Sequence, residues 1–192
     1  SDPDLEPKNV KQALKSKYAN EWKAAMKSEF DSLHENKVLT PVEITKGMKL
    51  ISTRWVLNVK RDEFNKPVKF KARHVARGFT QEHGIDYTDT FAPVAGKKSI
   101  RILLKLANDF DMELKQVDFT TAFLNANLEE EIFIRVPNEL ANEYMLDPTK
   151  YCYRLNKSLY GLKQSPLNWY SLLNETLLKL GYTSTIADEC IY

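Results

Sequence analysis

From Leu50 to Arg77 side-chain character alternates with a period of two, and no other stretch restricts the fold so tightly. Ile51, Thr53, Trp55, Leu57 and Val59 are interleaved with Ser52, Arg54, Val56, Asn58 and Lys60, which is strand periodicity with one largely apolar face. Asp62 to Pro67 supplies a turn, and the return run sets Val68, Phe70 and Ala72 against Lys69, Lys71 and Arg73. In a hairpin the two polar faces coincide, giving a surface of Arg54, Lys60, Lys69, Lys71 and Arg73. Scattered charge protects strand edges from aggregation. A face of nearly one sign is different, because like charges opposite one another cost stability. A polyanion would offset that cost, so phosphate binding accounts for the face better than solvation does.

The same bias shows in the charge distribution. Net charge is only +2, but Lys46 to Arg77 holds ten Lys or Arg against Asp62 and Glu63, a balance of +8. Asp109 to Asp147 holds ten Asp or Glu against Lys115 and Arg135, a balance of −8. Such segments are two solvated faces, or a phosphate-binding surface beside a metal-binding one. At 192 residues and 43% hydrophobic content, the chain can build one domain or two small subdomains. Cys152 and Cys190 form no CxxC pair, and His34, His74 and His83 are scattered, which argues against zinc and against a disulfide framework. No apolar run approaches a membrane span and no signal-peptide pattern opens the sequence. The expectation is a soluble chain of a reducing compartment.

Along the chain, Ser1 to Pro7 reads as a linker. Trp22, Ala25, Met26, Phe30 and Leu33 follow helical spacing from Asn20, with Asn36 as the stop. Gly78 to Pro93 has the Gly, Asp and Pro content of a long loop. Ser99 is expected to cap a helix whose Ile100, Leu103, Leu104 and Ala107 face inward. Glu113 to Val117 alternates and predicts a short strand leading to Asp118. Glu129 to Glu131 is a solvated charge run, Ile132 to Val136 and Cys152 to Leu155 are strands, and Asn138 to Thr149 connects them. Ser165 is expected to cap a last helix with Pro166 as its first residue, a stripe of Leu167, Tyr170, Leu173, Leu177 and Leu180, and Gly181 as its end.

Asp118 admits two readings. It caps the turn begun by Ala122, Phe123 and Leu124, as Asp often does. Alternatively, standing at the end of a strand, it offers the hard oxygen that magnesium prefers.

Four blocks then resemble one family, the reverse transcriptases of copia-type long-terminal-repeat retrotransposons. They are KARHVARGFTQEHGIDYTDTFAPVA, VDFTTAFLN, EEEIFIRVP and KSLYGLKQSPLNWY, in that order. The resemblance runs from about Trp22 to Tyr192. His74 departs from the expected aliphatic residue, and Pro137-Asn138-Glu139-Leu140 lacks the usual Pro-Gly-Phe ending. The resemblance implies an α+β right-hand polymerase with a basic fingers hairpin and a palm of antiparallel strands backed by helices. It makes Asp118 the first catalytic, metal-binding carboxylate, with the Phe119 backbone carbonyl as a further ligand for one of two Mg2+ ions. It places Phe123 under the incoming sugar, excluding a ribose 2′ hydroxyl, and Tyr160 and Gly161 against nucleotide and template base. Lys60 and Arg73 match the cations that hold the deoxynucleoside triphosphate, with Arg61 or Lys71 able to take either role. Lys69, Lys71, Arg77 and Lys163 are the implied contacts to template and primer.

The family's second carboxylate pair, in a Tyr-x-Asp-Asp hairpin, is expected just after Asp188-Glu189-Cys190-Ile191-Tyr192. The chain therefore reads as an N-terminal linker and helical arm over 1–45, fingers over 46–108 and a partial palm over 109–192, with fingers strands interposed at about 127–155. Expected partners are RNA and DNA template–primer, deoxynucleotides and the rest of a Pol polyprotein (palm, thumb and RNase H), with no membrane, in a cytoplasmic virus-like particle. A non-catalytic nucleic-acid-binding remnant is the alternative. A phosphoryl-transfer nuclease using Asp118 with acids of the −8 segment is the more distant one.

Overall fold

A computed structural model describes residues 4–192. Asn9 caps the short helix α1 (Val10–Ala13) by accepting the Gln12 N–H at 2.9 Å. Helix α2 (Ala19–Glu35) buries Trp22, Met26, Phe30 and Leu33 along one side and ends at Asn36, as the apolar spacing requires. Residues 4–7 are not a free linker. Leu5 is buried and Glu6 reaches Arg61 at 2.9 Å, so one apolar side chain and one charge tie down a stretch whose composition reads as loose. Ser1 to Pro3, the start of the expected linker, lie outside the described residues.

Strands β1 (Leu39–Glu43) and β2 (Leu50–Ile51) precede the hairpin of β3 (Thr53–Arg61) and β4 (Pro67–Ala76). Lys60 faces Lys69, Asn58 faces Lys71 and Val56 faces Arg73, so the cations share one surface as the alternation predicts. The opposite surface lies on α2. The Trp22 ring stands edge-on to Phe70 at 4.8 Å between centres, and Phe30 meets His74 at 5.5 Å.

The alternating run divides at Ser52, whose carbonyl accepts the Arg77 N–H at 2.8 Å. Before that point β2 joins a second sheet with β5 (Phe133–Arg135) and β6 (Tyr151–Leu155), in the order β1-β6-β5-β2. Its pairings are antiparallel except between β2 and β5, which run parallel. Phe30, Leu33, Ile51, Ile134, Tyr153 and Leu155 form the core between α2 and this sheet.

Four local expectations need correction. Helix α3 (Lys97–Asp109) starts at Gly96 rather than at a Ser99 cap. Its first turn is instead held from afar, by Asp188, which accepts from Gly96 N–H at 2.9 Å and from Ser99. Only Ala107 of its apolar face is buried, while Ile100, Leu103 and Leu104 are 44 to 51% exposed, because no described element packs on that face. Amphipathic spacing says that a face favours burial and does not say what covers it. Glu113 to Val117 forms no strand; alternation alone cannot make one without a neighbour to satisfy its backbone groups. Helix α4 (Ser165–Lys179) takes Gln164 as its N-cap. The Ser165 hydroxyl donates to the Leu159 carbonyl at 2.7 Å instead of capping. At the other end Gly181, at φ +91°, closes α4 as expected, with Tyr182 N–H returning to Leu177 O. No helix among the described residues is long and apolar enough to cross a membrane.

His74 sits 1% exposed between α2 and β3, and burial pushes its imidazole down to about 4 from 6.5. The unfolded chain takes up this proton near pH 6.5 and the folded chain only near pH 4. Stability is therefore complete above pH 6.5 and falls as pH drops through that window, by on the order of 3 kcal/mol at one unit per 1.36. His74→Leu should flatten the loss in denaturant melts from pH 7 to 4. A loss unchanged in the variant would assign the pH dependence to other groups such as His34.

Candidate functional site

Two loops are stitched together at the end of β4. Ala76 N–H donates to the Tyr160 carbonyl at 2.8 Å, and Gly78 N–H donates to the Gly161 carbonyl at 3.1 Å. Gly161 has φ +92°, and a Cβ there would collide with the Ala76 carbonyl; a Cβ on Gly78 would collide with the Gly161 carbonyl. Two backbones approach this closely only where side chains are missing. Around them Gln81 donates to Gln164 at 3.0 Å, and Gln164 donates to the Asp86 carbonyl at 2.8 Å. Asp86 also meets Lys49 at 2.6 Å. This buried polar network anchors the long loop after Gly78 to the start of α4.

The stitch lays Tyr160 beneath Arg73, whose guanidinium carbon is 5.5 Å from the ring centre. Phe123 makes the other ring contact of Tyr160, 4.9 Å between centres and tilted by 54°. Phe123 belongs to a short 3-10 turn, Ala122–Asn125, as the apolar run predicts, and the turn is entered through Thr121 at φ +53°. Phe119 packs on Trp169 of α4 at 5.1 Å between centres, which fixes the residue beside the exposed Asp118. The capping reading of Asp118 fails, since no side chain caps the 122–125 turn. Burial raises the Tyr160 phenol above its ordinary range; Arg73 opposes the shift, and the charges of Glu29 and Asp118 add to it. Tyr160 thus lies within electrostatic reach of both Arg73 and Asp118.

The basic face shows the strain expected of like charges. Lys71 is held below its usual range by burial first, then by Arg73, Lys60 and Lys69, with Glu29 pulling the other way. Glu29 accepts the His74 N–H at 3.3 Å along the open edge of β4. Nothing in the α2 pattern singled it out, because its role comes from the strand beside it. Of the alternative cations, Arg61 is paired with Glu6 and Lys71 shares the face of Arg73. Arg77 is exposed and lines, with Arg54, a groove of about 620 Å3 next to Gly161. Lys163 turns instead to Tyr87, 2.9 Å from its hydroxyl. Among the described residues no three Asp, Glu, His or Cys converge as a metal-binding group, so the acids of the −8 segment do not gather on Asp118.

Residues 36–192 match the family described as reverse transcriptase (RNA-dependent DNA polymerase). The chain is 40% identical over 191 residues to the retrovirus-related Pol polyprotein from transposon TNT 1-94 of Nicotiana tabacum, covering 98% of the chain and 14% of that protein. It is 34% identical to the Pol polyprotein from transposon RE2 of Arabidopsis thaliana, over 97% of the chain and 12% of the relative. It is 32% identical to a truncated Ty1-A Gag-Pol polyprotein of Saccharomyces cerevisiae, over 96% of the chain and 13% of the relative. No solved structure matches the chain.

Gly161→Ala should destabilise the fold by about 1–3 kcal/mol, the usual range for enforced backbone strain. Urea melts read this directly. A variant as stable as its parent would place the loop away from β4.

Proposed function

Because the chain belongs to the reverse transcriptase (RNA-dependent DNA polymerase) family of copia-type Pol polyproteins, we propose that it forms the fingers and part of the palm of a right-hand polymerase. Residues 46–108 with about 127–155 are the fingers portion, the rest of 109–192 the palm portion, and 1–45 the arm. The observation that carries the reading is the contact of Arg73 and of Phe123 with the Tyr160 ring, within electrostatic reach of Asp118. It joins the basic hairpin, the glycine loop and the carboxylate segment in one surface.

In this reading Arg73 and Lys60 hold the triphosphate of an incoming deoxynucleotide by charge. Tyr160 gives Arg73 a ring face to rest on, and Phe123 occupies the space beneath the sugar, so a 2′ hydroxyl is excluded by bulk. Gly161, without a side chain, lets backbone approach the nucleotide. Lys69, Lys71 and Arg77 meet phosphates of template and primer, and a bound polyanion relieves the repulsion felt by Lys71. Lys163, occupied with Tyr87, joins them only by leaving that contact.

Asp118 suits magnesium as an exposed carboxylate next to a backbone carbonyl, that of Phe119, because the ion takes one or two carboxylates and keeps several waters. Bound there, magnesium would neutralise charge as a primer hydroxyl attacks and pyrophosphate leaves. One carboxylate cannot hold two divalent ions against their repulsion. The chain spans about a seventh of its tobacco relative, and we propose that the remaining carboxylates come from elsewhere in a Pol polyprotein. The exposed face of α3, with Phe110, Met112, Leu114 and Val117 beyond it, is the apolar surface that the remaining palm would cover.

Primer extension on an RNA template tests the reading. The 192-residue chain should not extend a primer, whereas the parent polyprotein's complete polymerase region should. In that longer protein Asp118→Asn should abolish extension. Phe123→Ala should raise ribonucleotide use relative to deoxynucleotide use, by tenfold for each 1.4 kcal/mol or so of discrimination lost. Full activity in Asp118→Asn would remove the assignment of the carboxylate.

A further inference from the structure

Along the outer edge of β4 the backbone N–H groups of alternate residues point the same way. At the end of the strand and just beyond it, Ala76 and Gly78 donate to the carbonyls of Tyr160 and Gly161. Two residues earlier the partner changes, and His74 N–H donates to Oε1 of Glu29 at 3.3 Å. A carboxylate from α2 thus continues the line of the stitch, one strand repeat or roughly 7 Å from the Tyr160 carbonyl. Arg73 leans toward the same edge, since its guanidinium carbon lies 5.5 Å from the centre of the Tyr160 ring. Glu29 is faced by Lys71 and Arg73 from β4 and by the Tyr160 phenol from the loop, while the His74 ring beside it is uncharged at neutral pH. The bond to His74 is longer than charge-assisted hydrogen bonds run, and a neutral amide oxygen would accept it as well. Burial pushes the Glu29 carboxyl above its ordinary range, and the His74 N–H, Arg73 and Lys71 only partly pull it back. A proton therefore binds more readily in the folded chain than in the unfolded one, so at neutral pH the ionised side chain favours unfolding. Fold stability does not account for the charge.

We propose that Glu29 is a built-in competitor for phosphate, an acid mounted on the strand edge that attracts Arg73 and Lys71 in the free protein and opposes any polyanion that comes to them. It touches no substrate and acts through those two cations, so it sets how tightly the basic face grips. The inference rests on the reading of that face as an anion-binding surface. Lys60, Lys69, Lys71 and Arg73 share the face, and without an acid among them they would hold phosphates most tightly. An enzyme that copies a strand releases each phosphate as the strand advances, and the tightest grip would slow that release. Glu29 is placed to moderate it, because its carboxylate is fixed to the backbone one residue from Arg73 and pulls on Lys71 as well.

The test is binding of a labelled oligothymidylate to the 192-residue chain across a salt series, with urea melts of the free proteins beside it. Glu29→Gln keeps an oxygen for the His74 N–H and removes the charge. It should tighten binding severalfold at low salt and steepen the slope of log affinity against log salt by up to about 0.7, the share of one further phosphate on a single strand. At neutral pH it should be at least as stable as the parent. Glu29→Asp keeps the charge, gives up the reach to His74, and should bind like the parent. In a Lys71→Ala/Arg73→Ala background the effect of Glu29→Gln should vanish, because the cations at stake are gone. Parent-like affinity and slope in Glu29→Gln would overturn the inference, as would a tightening that persists without Lys71 and Arg73. A Glu29→Gln variant less stable than the parent would give the charge to the fold and overturn it too. In each of these cases, parent binding that weakens in Lys69→Ala/Lys71→Ala/Arg73→Ala leaves the reading of the basic face standing. Parent binding indifferent to that triple replacement, or no binding at all, removes the reading and the inference with it.

Discussion

Everything at the candidate site depends on two backbones touching where side chains would forbid it. The carbonyls of Tyr160 and Gly161 take the N–H groups of Ala76 and Gly78, which extends β4 by pairing it with a loop more than eighty residues away in sequence. That pairing brings a hairpin cation, an aromatic ring and a turn into contact without any side-chain hydrogen bond between them. Arg73 and Phe123 then meet the Tyr160 ring because their backbones have been fixed within reach. Phe119 on Trp169 locks the adjacent carboxylate segment to α4, although that segment has no strand partner among the described residues.

Charge works against stability at the same place. Lys60, Lys69, Lys71 and Arg73 crowd one face, and a single helix carboxylate, Glu29, partly balances them from the strand edge. Burial makes that carboxylate easier to protonate, while Arg73 and Lys71 hold its charge in place. Exposed pairs such as Lys27 with Asp31 contribute little, because solvent screens them. They do not touch the basic face, whose repulsion they leave in place.

The hairpin was legible in sequence because a period of two and a turn leave one register that buries Ala72 and His74 and half-buries Phe70. Helix α2 was legible for the same reason, since Trp22, Met26, Phe30 and Leu33 define one side. The exposed flank of α3 and the unpaired run from Glu113 to Val117 were misread because pattern reports preference for burial and is blind to the supply of a partner. The Glu29 contact, the Gln81–Gln164 bond and the turn of Lys163 toward Tyr87 arise between distant segments and leave no local period. Arg73, Tyr160 and Phe123 were each nameable from motifs, but their contact was not, because it is created by the glycine stitch.

Amide hydrogen exchange in the presence of an RNA–DNA primer–template and a deoxynucleoside triphosphate tests the single-surface claim most directly. Protection should rise together over 60–77, 118–124 and 160–163, while the outer flank of α4 and the exposed face of α3 stay unchanged. Protection confined to one of these segments, or appearing only outside them, would contradict the claim that hairpin, carboxylate turn and glycine loop act as one site.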